Sequence, residues 1–264
     1  MARKVRKDAS SAFAVERHTL ILERLKSEGR LAAAALAEEI GTSTETIRRD
    51  LIALEQAGSL RRVHGGAVLE SRRGDVPDVH QRGSLMTNEK AAIARLAASQ
   101  VPVAALVLID SGTTTHALAE AYPVDRGTTV VTPSLPVATT LLKRPGSRVH
   151  TLGGEVSPRT WSEGGSWTLR ALQGLRAEVV FLGCSGFSAG LGATTSDEVD
   201  GDVKRGMVAA ARRVVVLADS SKIGSQHLMT FAELDQIDLL ITGRRADPRE
   251  LQLISDAGVE IQTA

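Results

Sequence analysis

Two groups of residues in this 264-residue chain carry side chains whose types and spacing could do chemistry together. The first is the run Ser43, Thr44, Glu45, Thr46, Arg48 and Arg49, followed shortly by Arg61, Arg62, His64, Gly65 and Gly66. A guanidinium can grip a phosphate, or meet a guanine edge through two parallel hydrogen bonds, so paired arginines among short polar residues suit nucleic-acid contact. The second group is scattered but similar in kind: Asp110-Ser111-Gly112-Thr113-Thr114, then Ser134, Gly153-Gly154, Gly183, and Asp219 through Lys222. Hydroxyls, free backbone N–H groups and a glycine that admits close approach make an anion site, most naturally for phosphate, and Lys222 could add full charge. Asp110 could accept hydrogen bonds from sugar hydroxyls, or cap and orient its own loop. Cys184 is the only cysteine, which excludes a Cys-based metal cluster and an intrachain disulfide. We expect no metal, no cofactor and no catalytic residue.

The first group must be held by a helix. Gly41 sits where a preceding helix has to stop, because glycine takes the left-handed conformation without steric cost. Thr42 and Ser43 are both good N-caps, and Glu45 three residues after Thr42 suggests a capping box, so the next helix starts within one residue of Ser43. Ile47, Leu51 and Leu54 then share an inner face, with Glu45, Arg48, Arg49 and Ile52 opposite. An ordinary surface helix would show the same pattern; the residues downstream of it tip the balance. Residues 59–68 read as a β-hairpin turned at Gly65-Gly66, with Arg61, Arg62 and His64 on or beside it. A basic hairpin directly after such a helix is the wing of a winged helix-turn-helix, placed along a phosphate backbone or in a minor groove. Upstream, a first helix is expected over Val15–Ser27 with His18, Ile21, Leu22 and Leu25 on one face, His18 serving in packing or at the rim. A second is expected over Leu31–Ile40 with Leu36 and Ile40 inward. The domain would cover 15–70, after a basic tail over 1–14 expected to be disordered.

Residues 71–87, with Arg72, Arg73, Gly74, Pro77 and Gly83, read as a linker. The second group then belongs to a larger domain over 88–264. It opens with a helix from Asn88 to about Gln100, Ile93 and Leu96 inward. Apolar strand-like runs come next at 103–109, 128–132, 148–152, 178–182, 213–218, 238–242 and 259–262. Helical stretches lie at 113–121, 134–143, 166–175, 198–212 and 248–257. That alternation predicts a mainly parallel α/β sheet covered on both faces. Ligands of such sheets bind outside the carboxyl ends of the strands. One Gly- and Ser-rich loop is any β-to-α turn; five at one edge point to a pocket. Lys204 falls on an expected helix, where a solvated lysine and a ligand contact are equally open.

Composition agrees with two unlike parts. Residues 1–74 hold 14 Lys and Arg against 10 Asp and Glu, and residues 75–264 hold 18 against 21, a basic front on an acidic back. Aromatics are 3% of the chain, so the core must be built from Ala, Val, Leu and Ile. No run of 18 apolar residues exists and no apolar signal core is present, so we expect no membrane contact and a cytoplasmic protein.

The run Ser43-Thr44-Glu45-Thr46-Ile47-Arg48-Arg49-Asp50-Leu51, then Leu54-Glu55-Gln56-Ala57-Gly58 and Leu60-Arg61-Arg62-Val63-His64-Gly65-Gly66-Ala67, closely resembles the DeoR family of bacterial transcriptional regulators. The resemblance extends nearly to the C-terminus through Asp110-Ser111-Gly112-Thr113-Thr114, Gly153-Gly154, Phe181-Leu182-Gly183, Lys204-Arg205 and Leu217 to Lys222. It implies a winged N-terminal DNA-binding domain and a C-terminal sensor similar in fold to ribose-5-phosphate isomerase. It further implies a regulator of carbohydrate metabolism, expected to be a repressor, that binds double-stranded operator DNA and answers to a phosphorylated sugar. Such DNA readers act as symmetric oligomers, so a homo-oligomer, dimer or tetramer, is expected. The chain departs from the family at Pro133, where Asn is usual, at Phe187-Ser188 for Ile-Asp, and at Thr242-Gly243-Arg244-Arg245 for Thr-Asp, so the resemblance leaves the sugar class open. The alternative is an isomerase-type enzyme with an appended DNA module, with Asp110, Glu155 or Asp219 as base.

Overall fold

A computed structural model describes residues 14, 16–25, 30–56, 59–63, 65–68, 85–124, 126–146 and 148–264. Residues 1–13 of the expected tail and 71–84 of the expected linker lie outside these residues. The chain divides into two compact units, Met1–Thr87 and Asn88–Ala264.

In the first unit residues 16–25 are helical (α1). Strand β1 (Arg30–Ala32), helix α2 (Ala33–Ile40), helix α3 (Thr44–Gln56) and strands β2 (Arg61–Val63) and β3 (Gly66–Val68) come after it. Strand β3 is central, antiparallel to β1 and β2. Ile21, Leu25, Leu36, Ile47, Leu51, Leu54 and Leu60 form a wholly aliphatic core. Helix α2 begins two residues later than its alanine-rich sequence suggests. Arg30–Ala32 pair with β3, and the Ala33 N–H donates to the Gly65 carbonyl at 2.8 Å, so tertiary hydrogen bonds override local helix propensity. Gly41 ends α2 in the left-handed conformation at φ 70°, as expected.

The second unit opens with α4 (Thr87–Ser99) and continues β4 (Leu106–Ile109), α5 (Thr113–Ala121), β5 (Thr129–Thr132), α6 (Leu135–Leu142) and β6 (Arg148–Thr151). A hairpin β7 (Glu155–Val156) and β8 (Glu163–Gly164), then α7 (Ser166–Gln173) and β9 (Val179–Gly183), come next. The remainder is β10 (Gly186–Ser188), β11 (Gly192–Thr195), α8 (Glu198–Ala209), β12 (Val214–Ala218), β13 (Met229–Ala232), β14 (Leu239–Thr242), α9 (Pro248–Asp256) and β15 (Glu260–Thr263). Seven strands form one parallel sheet in the order β15-β14-β12-β9-β4-β5-β6. The pleat sorts its side chains onto two faces. Leu108, Val180, Leu182, Val216 and Leu240 enter one core, and Val107, Ile109, Val179, Phe181, Val215, Leu217, Leu239 and Ile241 the other. Burial on both faces is why β4, β5, β9, β12 and β14 read as near-continuous apolar runs, while the edge strands β6 and β15 are largely exposed.

The antiparallel sheet β10-β11-β13 and the β7–β8 hairpin carry no comparable signal. Gly186-Phe187-Ser188 and Gly192-Ala193-Thr194-Thr195 are short and glycine-containing, so neither alternation nor an apolar run marks them. Helix α8 stops at Ala209, short of the expected 212, because the chain peels away to bridge Ala177 with Ala211.

Candidate functional site

In the first unit the expected helix presents the expected face. Ser43 caps α3, its Oγ accepting from the Thr46 N–H at 3.1 Å. The capping box from Thr42 is corrected: capping at Ser43 starts the helix at Thr44, which puts Glu45 one position too early to reach back. Its carboxylate lies 3.9 Å from Arg48 and 3.6 Å from Arg49 instead. Both arginines are exposed, at 64% and 79% of the side chain, while Ile47, Leu51 and Leu54 are buried. Ser43 is exposed and Thr44 and Thr46 half-buried beside them. On the hairpin, the Arg62 N–H and guanidinium donate to Glu55 of α3 at 2.8 and 2.6 Å. Those bonds, the backbone one first, hold the Glu55 carboxyl below its ordinary range. Arg62 therefore anchors the hairpin to α3. Arg61 lies on β2 next to it, and His64 lies outside the described residues. Gly65 turns at φ 81°. Gly66 is buried, and a Cβ there would stand 1.8 Å from the Leu31 carbonyl oxygen, so its place in the motif is set by strand packing.

In the second unit β4 starts the sheet, β5 and β6 add on one side and β9, β12, β14 and β15 on the other. The strand order reverses between β4 and β9, which opens a crevice at their carboxyl ends. Asp110 sits there, fully buried. Its Oδ2 accepts from the Gly183 N–H at 2.9 Å and from the Lys204 ammonium. Its Oδ1 is buried with no hydrogen-bond partner among the described residues. Lys204, 3% exposed, also donates to the Gly183 carbonyl at 3.1 Å, lies 3.7 Å from Asp200 and sits 5.3 Å from the Phe231 ring centroid. The solvated reading of Lys204 is thereby excluded. Burial pushes the Asp110 carboxyl up to about 6, against the pull of Lys204. Burial opposes charge on Lys204 as well, but the Asp110 and Asp200 carboxylates outweigh it and raise its pKa. Each group thus favours the charged form of the other.

Immediately after Asp110, Gly112 begins α5 at φ 136°, a conformation L side chains rarely adopt, and no side chain caps the helix. Ser111 and Thr114 are buried and Thr113 half-buried around this start. The other expected residues also have local structural roles. Ser134 caps α6 by accepting from the Val137 N–H. Asp219 caps the short 3₁₀ turn Ser220–Lys222 through the Ser221 N–H, leaving Lys222 half-buried at its end. Gly153 donates its N–H to Glu163 at 2.8 Å, and a Cβ on Gly154 would stand 2.5 Å from the Gly164 carbonyl oxygen. Glu155, raised as a possible base, is exposed on β7, and the buried carboxylate of that region is Glu163. The thiol of Cys184, pushed up to about 12 by burial, stays protonated.

Sequence reasoning missed Glu163, held by a hairpin too short to read, and Glu89. The Glu89 carboxylate accepts from the backbone and hydroxyl of Ser220 and pairs with Arg245 at 3.1 Å. It also lies against Gly243, where a Cβ would stand 1.9 Å from its Oε1. Ser188 is similarly local, its hydroxyl bonded to the Leu191 N–H and to Gln226. Among the described residues no group of three or more His, Cys, Asp or Glu could hold a metal ion, and no helix is long and apolar enough to cross a membrane.

A winged helix-turn-helix joined to a doubly covered parallel α/β unit with a polar switch-point crevice defines a DNA-binding regulator with a sensing part. Comparison with known proteins makes this specific. The profile of the DeoR-like helix-turn-helix domain matches residues 17–73, and that of the DeoR C terminal sensor domain matches residues 85–244. The chain is 34% identical over 247 residues to the HTH-type transcriptional repressor GlcR of Bacillus subtilis, covering 93% of this chain and 95% of that one. It is 31% identical to the glycerol-3-phosphate regulon repressor of Escherichia coli, covering 94% and 98%. The chain belongs to the DeoR family of transcriptional regulators. Ribose 5 phosphate isomerase A from Neisseria gonorrhoeae aligns at 18% identity over 53% of each chain with TM-score 0.35, too distant to place a residue.

Proposed function

We propose that this chain is a cytoplasmic repressor of a carbohydrate operon, without catalytic activity. On this reading α3 and the β2–β3 wing hold operator DNA, and a phosphorylated metabolite bound at the β4–β9 crevice alters that hold. The observation that carries the sensing half is the junction of Asp110 with Gly112. A helix start without a side-chain cap, suited to a phosphate, directly follows a buried carboxylate that retains an unpartnered oxygen. Lys204 balances that carboxylate, and Lys222 stands at the neighbouring strand end. Names of relatives such as the glycerol-3-phosphate regulon repressor agree with a phosphorylated effector. An assembly of two or four copies would bring paired recognition helices to paired half-sites.

The test is a thermal-shift screen of matched phosphorylated and unphosphorylated sugars and polyols. A ligand that binds only the folded state raises the melting temperature. At least one phosphorylated compound should do so while its unphosphorylated partner does not, and no aldose–ketose conversion should accompany it. Conversion at an enzymatic rate would favour the isomerase alternative.

A further inference from the structure

We infer that Asp50 is a positioning residue for DNA reading: through Arg17 and His18 it fixes the rotation of α3 on α1, and with it the aim of Arg48 and Arg49. The inference rests on the reading of α3 as recognition helix. Asp50 comes directly after Arg49 but faces the other way, 7% exposed, on the border of the Ile47, Leu51 and Leu54 stripe. Arg17 of α1 holds it with both arms of its guanidinium, Nε to Oδ2 at 2.8 Å and Nη2 to Oδ1 at 3.1 Å. The His18 Nε2 shares a hydrogen bond with Oδ1 at 3.1 Å. The core around them is otherwise aliphatic.

An aliphatic interface between two helices is tolerant of rotation, since leucines and isoleucines pack almost as well after a small turn. A planar guanidinium on a carboxylate is not tolerant, because both hydrogen bonds survive only in one geometry. A turn of α3 by about 20°, within the ordinary scatter of helix packing, would carry side-chain ends at its surface by about 2 Å. That is enough to lose a bidentate contact to a base while leaving the fold intact. The polar cluster therefore contributes specificity beyond whatever it adds to stability, a role buried ion pairs hold in some proteins.

The experiment uses the full chain. The probe is the duplex that the parent enriches from a randomised pool, compared at fixed salt with a shuffled duplex of equal composition. Arg17→Met with Asp50→Leu removes both charges together, so no buried charge is left unpaired. The double variant should melt at or above the parent temperature. Its preference for the enriched duplex over the shuffled one should fall about tenfold or more, with affinity for the shuffled duplex little changed. Should the double variant fail to fold, Asp50→Asn, which keeps the shape and one acceptor, should give a smaller fall in the same ratio. A folded variant with the parent's ratio would overturn the inference. Arg48→Ala with Arg49→Ala serves as the control. If this control loses preference while the clamp variants do not, the positioning role fails alone. If the control also keeps it, or the parent enriches no duplex, the recognition-helix reading fails too.

Discussion

Replacing Lys204 with Met keeps the length of the side chain and removes its charge. The ammonium is 3% exposed and bonded to the Asp110 carboxylate and the Gly183 carbonyl. Removing one partner of a buried pair leaves an uncompensated charge, which costs about 3–5 kcal/mol. Asp110 can escape part of that cost by taking up a proton, which gives the effect a definite pH dependence. In the parent its folded pKa is about 6, above the ordinary 3.8, so folded Asp110 binds its proton more tightly than unfolded Asp110. That contribution stabilises at low pH and fades as pH rises through about 6. Without Lys204 the folded value moves higher, so the fading continues above pH 6, at up to about 1.4 kcal/mol per pH unit. The gap between parent and variant should therefore be nearly flat below pH 6 and widen between pH 6 and 8. Both tryptophans, Trp161 and Trp167, lie in the second unit, so urea titrations followed by their fluorescence report on that unit alone. A gap under about 1 kcal/mol at pH 7.5, or one that stays constant from pH 6 to 8, would refute the reasoning.

Two further expectations concern DNA. Arg48→Ala with Arg49→Ala should weaken operator binding at least about tenfold with the melting temperature unchanged, because both side chains are exposed and, among the described residues, pair with Glu45 at 3.9 and 3.6 Å; a salt-controlled gel shift measures it. Arg61→Ala with Arg62→Ala should flatten the dependence of log affinity on log salt by about 1 to 2, alike on operator and shuffled duplex. An unchanged slope on both would take the hairpin off the duplex.

How much of the fold and the site was legible in the sequence depended on whether the signal was local. The five inner sheet strands, β4, β5, β9, β12 and β14, are buried on both faces, so each stood out as an apolar run, and Gly41 and Ser43 marked the helix turn because their roles are local ones. Leu31 and Ala32 read as helix because their strand partner, β3, comes more than thirty residues later. At the crevice, Asp110 and Gly112 could be read from the loop itself. The burial of Lys204 could not, because its partner Asp110 lies 94 positions away on another strand end. Glu89 was silent for the same reason, being 131 positions from Ser220. Asp50 stands inside the DNA-reading motif, yet only the three-dimensional contact with Arg17 and His18 distinguishes it from the two arginines before it.

Control of the hold on DNA by a phosphorylated ligand at the loop from Asp110 to Thr114 is tested most directly by Gly112→Asp. A Cβ there has room, 3.5 Å from the Thr115 Oγ1, but a φ of 136° strains any L residue by about 1–3 kcal/mol, and the new carboxylate repels an anion. Gly112→Ala carries the same strain without the charge and serves as the comparison. The measurement is operator affinity with and without the phosphorylated compound that most raises the parent's melting temperature. Gly112→Asp should still bind operator as the parent does without ligand, and its response to the compound should be lost, while Gly112→Ala responds at higher concentration. A folded Gly112→Asp protein that responds at the parent's ligand concentration would contradict this control and place the anion site elsewhere.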